Sequence, residues 1–406
     1  MRKLWHSPTL RSVFVYGASG LGFAGANLLL ARLLPTQEYA LFTLVVALSS
    51  LGYSLAPGGV DGIVNRRHLD AGPQLLRRTL VASVPIGIAF MVVGHAAYDM
   101  SLPLLLILFV STVAGGAMAV AGAQFQSERR YGISLGLTQS PNLVLMLGAI
   151  LVLVSGTREA WLPLVVSGLG FILAGWYGWL VLFRERASKP GRQTDFPWTE
   201  ALSFAGLNAA GLFLIQLERL VIPHVLPLEN LATYGVLAAV AGSLFRVLQM
   251  GVGYTLVPRL RVAESVPERR RLIAHEARLV AVMVVIGSIA IWVLTPLVER
   301  WILQGKYHLT ASLLLAAVIS GIAKIGDAFA KSTVTALATP SELSMVNLLG
   351  WASVAVGIAA AAFGARWGLA GVMYGVAFGW LARTVAALYF TARHIRLPAA
   401  LAATAL

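Results

Sequence analysis

The chain has no cysteine in 406 residues, which excludes disulfides and thiolate metal sites. It is also poor in charge. Asp, Glu, Lys and Arg make up 12% of it, against about 25% in an ordinary soluble domain. Acids are the scarcer sign, 17 against 31 bases, for a net charge of +14. The seven histidines are scattered, with no H-E-x-x-H or comparable ligand spacing. Neither a metal nor a cofactor is expected. A strongly basic balance alone would suit a nucleic-acid binder. Here the basic residues alternate between loops instead of forming one patch, so no nucleic-acid partner is expected.

What is plentiful is apolar: 58% of the chain is hydrophobic, with a mean hydropathy of +0.79. Charge-poor stretches of about 20 residues recur along the whole length, each enough to cross a hydrocarbon core about 30 Å thick. The pattern predicts an all-α integral membrane protein with twelve spans: 11–33, 40–62, 79–98, 102–124, 133–154, 160–182, 201–225, 230–257, 277–297, 308–333, 343–364 and 368–391. The first reads as a retained helix, because it is too long for a signal-peptide core and lacks a cleavage site.

Lys and Arg fall unevenly about these spans. One side collects 21, in clusters such as Arg66, Arg67, Arg77 and Arg78, or Arg269, Arg270 and Arg271; the other has six, Arg32, Arg158, Arg219, Arg300, Lys306 and Arg366. The positive-inside rule makes the rich side cytoplasmic and puts both termini there. Trp161, Trp301 and Trp367 fall at outer boundaries and Trp5 and Trp198 at inner ones, as an aromatic belt requires. The expected outer loops are all short, so no extramembrane catalytic domain fits and an enzyme is not expected.

The polar stretch 184–200 divides the chain, giving an N-terminal six-helix lobe over 1–183, a cytoplasmic linker over 184–200 and a C-terminal six-helix lobe over 201–406. The halves echo each other at offsets of about 190 to 210 residues. Leu34-Pro35-Thr36-Gln37-Glu38-Tyr39 corresponds to Leu226-Pro227-Leu228-Glu229 with Tyr234, and Val166-Ser167-Gly168 to Met373-Tyr374-Gly375. An even number of spans per half relates the lobes by a pseudo-twofold along the membrane normal, and in transporters so built the substrate path lies between the halves.

Three motifs imitate chemistry. Gly20-x-Gly22-x-x-Gly25 is a literal dinucleotide fingerprint, but it lies inside an apolar span, where small residues serve helix packing. Gly371-x-x-x-Gly375-x-x-x-Gly379 has the same explanation. Asp61-Gly62-Ile63-Val64-Asn65-Arg66-Arg67 reads as a solvated, positive-inside loop.

The informative residues are charges inside spans, where each costs several kcal/mol unless it faces a partner or a cavity. Arg246 sits mid-span in the eighth, with Gln249 one turn on. Lys324, Asp327 and Lys331 share one face of the tenth span and read either as a self-compensating triplet or as a site. Glu218 and Arg219 lie in the seventh with Gln216 and the deeper Asn208, and read either as an interfacial pair or as site groups. Arg383 is in the twelfth, within snorkelling reach of the head groups. Tyr16 and Asn27 share a face of the first, and Arg32 marks its end. The set is net positive, five bases (Arg219, Arg246, Lys324, Lys331 and Arg383) against Glu218 and Asp327. A cationic cavity of this kind suits an anionic, phosphate-bearing substrate. Asn27, Asn208, Gln216 and Gln249 would line it, and Asp327 and Glu218 are candidates for a coupling-ion site.

LARLLPTQEYALF at 30–42 resembles the segment between helices one and two of the polysaccharide transporter (Wzx-type) flippases. The stretch from Glu218-Arg219-Leu220 through Pro227 to Tyr234-Gly235 is similar to that family's seven-to-eight region, and Phe125 to Tyr131 to its four-to-five loop. The resemblance runs over essentially the whole chain, through loose motifs. It implies the multidrug/oligosaccharidyl-lipid/polysaccharide flippase superfamily and an alternating-access machine in a bacterial inner membrane. Such a machine carries a polyprenyl-diphosphate-linked oligosaccharide outward for cell-surface polysaccharide synthesis, by antiport of H+ or Na+. Peptidoglycan lipid II flippases place an Arg-Asp pair deep in helix one, where this chain has apolar and small residues with Asn27. Drug antiporters of the superfamily carry acids in the first lobe, where no mid-span acid occurs here. A small-molecule or drug/cation antiporter is the alternative expectation.

Overall fold

The computed structural model describes residues 8–67, 72–186, 196–243 and 265–396, together with positions 245, 256, 260, 262 and 263. The described chain is helical, and no strand occurs among these residues. The helices are α1 (Pro8–Leu33), α2 (Thr36–Leu55), α3 (Val60–Arg67), α4 (Pro73–Tyr98), α5 (Leu102–Ser127), α6 (Tyr131–Ser155) and α7 (Trp161–Arg186). They continue as α8 (Trp198–Val225), α9 (Leu228–Leu237), α10 (Val266–Leu297), α11 (Ala311–Leu337), α12 (Pro340–Gly364) and α13 (Gly368–Arg396). Among the described residues, nine helical segments are long and apolar enough to cross a membrane; the last of them, Ser341–Ile395, runs through both α12 and α13.

Helix boundaries follow local chemistry. Pro73, Pro103 and Pro340 fall at helix starts, where the missing N–H costs nothing. Thr339 and Glu342 form a reciprocal capping box at the start of α12. Asp99 and Gly156 close α4 and α6 in the left-handed conformation. The second expected span is interrupted: α2 stops, Ala56 to Gly59 turn, and α3 follows. Pro57 supplies no N–H, and Gly58 and Gly59 hold φ of 56° and 83°, where a side chain would be strained. Ser83 Oγ donates to the buried Ala56 carbonyl at 2.9 Å, meeting a backbone demand that hydrocarbon would leave unmet. Asp61 to Arg67 is therefore helical, not an open loop, and Arg66 pairs with Glu200 at 3.1 Å.

The chain divides into two compact units, Met1–Leu212 and Phe213–Leu406, and the division falls inside α8. In the first unit α5 is central, packing against α2, α4 and α7, while α1 lies on α6. Its core gathers Val64, Met118, Phe125, Leu137, Phe171 and Leu182, and the Trp179 indole N–H donates to the Ala117 carbonyl at 2.9 Å. The glycines of the dinucleotide-like motif serve packing: a Cβ on Gly22 would come within 3.0 Å of Leu143, and one on Gly25 within 2.7 Å of Met146. Both contacts join α1 to α6.

In the second unit α13 packs on α11 and α12. The α12–α13 seam is nearly free of side chains between Gly357–Gly364 and Gly371–Gly379, while nearer the start of α12 Val346 and Leu349 pack against the cluster that holds Ala387 and Phe390. A Cβ on Gly379 would lie 2.8 Å from Gly357 Cα, and one on Gly375 would strike the backbone of Ala360 and Ala361. Two features of the units correspond. In each, the last long helix lies on the two helices before it in the same order, α7 on α5 and α6, α13 on α11 and α12. The proline corners match as well, with φ/ψ of −53°/151° at Pro35 and −54°/146° at Pro227.

Candidate substrate and ion site

The buried charges of the second unit are organised by α11, whose polar residues Ser320, Lys324, Asp327 and Lys331 recur at helical spacing. Facing it, α8 supplies Glu218, which is fully buried. Glu218 Oε1 accepts from Lys324 Nζ at 2.7 Å and from Ser320 Oγ at 3.2 Å, two donors one turn apart on α11. Arg219 turns to its own helix and donates from Nη1 to Gln216 Oε1 at 3.0 Å. It remains close enough to act electrostatically on Lys324 and on Tyr234 of α9, whose hydroxyl faces Glu218. Glu218 therefore pairs across helices with Lys324, not with its neighbour Arg219. Adjacent residues on a helix point about 100° apart, whereas facing helices align theirs.

One and two turns further along α11, Asp327 faces α13. Its Oδ1 lies 3.6 Å from Arg383 Nε, and both side chains are less than a tenth exposed. Asp327 Oδ1 has no hydrogen bond among the described residues, so this pair is ionic without being hydrogen-bonded. Arg383 does not snorkel outward; it is buried beside the Trp380 ring, 5.9 Å from the centroid. Lys331 follows Asp327 by four residues, the favourable acid-before-base order. It is exposed while near enough to feel both Asp327 and Arg383.

The expected site residues are thus partly gathered. Glu218, Arg219, Gln216 and Lys324 form one group, and Asp327, Lys331 and Arg383 another. The supposed triplet on α11 is split between two partner helices. Asn27 is buried and donates to the Phe23 carbonyl of its own helix at 2.8 Å, so its amide N–H serves α1. Asn208 falls on α8, its side chain outside what is described, and Arg246, Gln249 and the side chain of Tyr16 also lie outside the described residues. Ser320 and Tyr234 were missed from sequence; Ser320 carries a signal, standing one turn before Lys324. In the first unit, a neutral cluster was missed too. Ser19 Oγ donates to Gln139 Oε1 at 2.8 Å, and Asn142 Nδ2 donates to Ser19 Oγ at 2.9 Å, joining α1 to α6. Among the described residues no three His, Asp or Glu side chains gather as a metal ion would require.

At the loop end each unit has a clasp. In the first, Arg130, just before α6, reaches Glu185 near the end of α7 with two hydrogen bonds at 2.5 and 2.9 Å. In the second, Glu342, at the start of α12, meets His394 near the end of α13 at 2.7 Å.

No protein-family model and no curated protein matches the sequence. Solved structures do match the fold. A multidrug resistance MATE family transporter of the MOP superfamily, in an inward-facing conformation, superposes with a TM-score of 0.66 at 9% identity, covering 94% of each chain. The lipid II flippase MurJ, in an inward closed conformation, gives 0.60 at 11% identity over 93% of this chain and 86% of that one. The Vibrio cholerae MATE transporter VcmN in its bent form gives 0.52 at 14% identity over 95% and 97%. At these identities the likeness establishes the fold: an all-helical membrane architecture shared with transporters and a flippase.

Proposed function

We propose that the chain is a flippase that moves a polyprenyl-diphosphate-linked oligosaccharide from the inner to the outer leaflet by alternating access. It serves cell-surface polysaccharide synthesis in a bacterial inner membrane. In this proposal two six-span lobes, related about the membrane normal and with both termini cytoplasmic, open alternately to the two sides. Arg246, Lys324 and Lys331 bind the diphosphate, with Arg219 and Arg383 beside them, while the lipid tail stays in the bilayer.

The observation that carries this reading is the charge balance of the second unit. Glu218 and Asp327 are matched by Lys324 and Arg383. Arg219 and Lys331 then remain without an acidic partner of their own among the described residues. An excess of positive charge within membrane-spanning helices favours an anion, which Arg and Lys hold by charge-assisted hydrogen bonds.

A drug/cation antiporter is the second reading. It is favoured by the burial of Glu218 and Asp327 and by the MATE transporters among the fold neighbours. It is weaker because each carboxylate already holds a cation that an incoming one would have to displace. In the flippase reading the same two acids are where a coupling H+ or Na+ would bind.

Transport in proteoliposomes separates the two. A fluorescent diphosphate-linked oligosaccharide lipid should flip in a protein-dependent manner, more slowly in Arg246→Ala, and a fluorescent organic cation should not move. Movement of the cation alone overturns the flippase reading. Wild-type flipping by a folded Arg246→Ala protein removes that residue from the site.

A further inference from the structure

The charges along α11 repeat a pattern. Lys324 pairs with Glu218 while Arg219 stands near enough to act on Lys324, and Arg383 pairs with Asp327 while Lys331 stands near enough to act on both. Among the described residues each group has one carboxylate and two bases, for a net charge of +1. In each the carboxylate lies behind and a lysine in front. Glu218 is fully buried behind Lys324, whose side chain is 21% exposed, and Asp327 is buried behind the exposed Lys331. The two lysines are seven residues apart on one face, about 10 Å along the axis at 1.5 Å per residue. The two groups also engage different partner helices, α8 through Glu218 and α13 through Arg383, so they form separate clusters along α11.

We infer that the second unit holds two anion stations in series along α11, one at Arg219–Lys324 and one at Lys331–Arg383, between which a single diphosphate head group steps. This rests on the diphosphate reading above and deepens it. The physical reason for two stations is release. Gathering all four bases around one diphosphate would make a trap, whereas conduction requires binding strong enough to enter and divided enough to leave. The carboxylate in each station has a defined task. It offsets the repulsion between two neighbouring bases when the station is empty, and it leaves one net positive charge for the ligand.

The test is calorimetric titration of the full-length protein in detergent with inorganic diphosphate, at low and high salt. Arg219→Gln and Lys331→Gln are the variants of choice, because neither removes the base that directly pairs with Glu218 or Asp327; thermal melts check that both fold. Two binding events are expected in the native protein. Each variant should weaken one of them about tenfold, the worth of one charge-assisted hydrogen bond, and leave the other in place. A single event weakened by both variants would mean one shared cradle, which overturns the series and spares the diphosphate reading. Two events that neither variant touches overturn the assignment of residues. No diphosphate binding at all sinks the stations and the diphosphate reading together.

Discussion

The two units are built alike and polarised differently. In the first, the described polar interior is neutral: Ser19, Gln139 and Asn142 bond to one another between α1 and α6, and Asn27 serves its own helix. Its ionised groups stand at helix ends, as where Glu38 accepts the Ala160 N–H at 2.7 Å and so holds the start of α7. In the second, the interior carries Glu218–Lys324 and Asp327–Arg383. Even the clasps are reversed, with a base on the loop side in the first unit and an acid in the second. The proline corners and the packing of the last long helix correspond between the units, while the buried charge does not. Packing fixes where a helix lies; the side chains on its inner face remain free to specialise.

The largest effect should come from breaking an inner charge pair, which the first unit has no counterpart for among its described residues. Lys324→Met strands a fully buried carboxylate and should cost about 3–5 kcal/mol, read as a lower melting temperature in detergent, with Glu218→Gln on the same chain restoring most of it. An unchanged melt in the single variant would show that the pair contributes little. Next, Gly375→Ala presses a methyl onto the α12 backbone and should cost about 1–3 kcal/mol. Gly22→Ala in the first unit meets only the end of the Leu143 side chain, which can move, and should cost less; equal losses would erase the distinction between the two seams. Asn142→Ala, in the neutral cluster, should cost about 1 kcal/mol, the usual worth of a hydrogen bond between membrane helices. The smallest effect is expected at the exposed clasp, where Arg130→Ala should cost under about 1 kcal/mol and less as salt is added. A large, salt-independent loss there would mean that the clasp holds α6 to α7.

The all-helical membrane architecture was legible because hydropathy at this length allows little else, and the matched proline corners were visible as Leu34-Pro35 and Leu226-Pro227. The break at Ala56 to Gly59 was not foreseen, although Pro57-Gly58-Gly59 stood in plain view, because its apolar flanks read as one continuous span. For the site, sequence found the charged residues and misjudged their partners. Glu218 beside Arg219, and Asp327 between two lysines, invite pairing along one helix. The partners observed, Lys324 and Arg383, are 106 and 56 positions away. They are set by which faces of α8, α11 and α13 meet, which periodicity alone leaves open. The cluster of Ser19, Gln139 and Asn142 escaped for a related reason: uncharged side chains raise no alarm in an apolar helix until a neighbour is seen to answer them.

The glycine seam between α12 and α13 has a mechanical consequence. Over Gly357 to Gly364 of α12 and Gly371 to Gly379 of α13 the backbones touch with no room for a side chain, a close approach that ties this stretch of the pair into one doubled beam. Its longer member, 29 residues from Gly368 to Arg396, runs about 43 Å at the helical rise. Arg383 is fixed partway along this beam, and His394 and Glu342 close its far end. Arg383 stands one turn beyond the last of these glycine contacts, so a tilt of the doubled stretch would carry Arg383 with it.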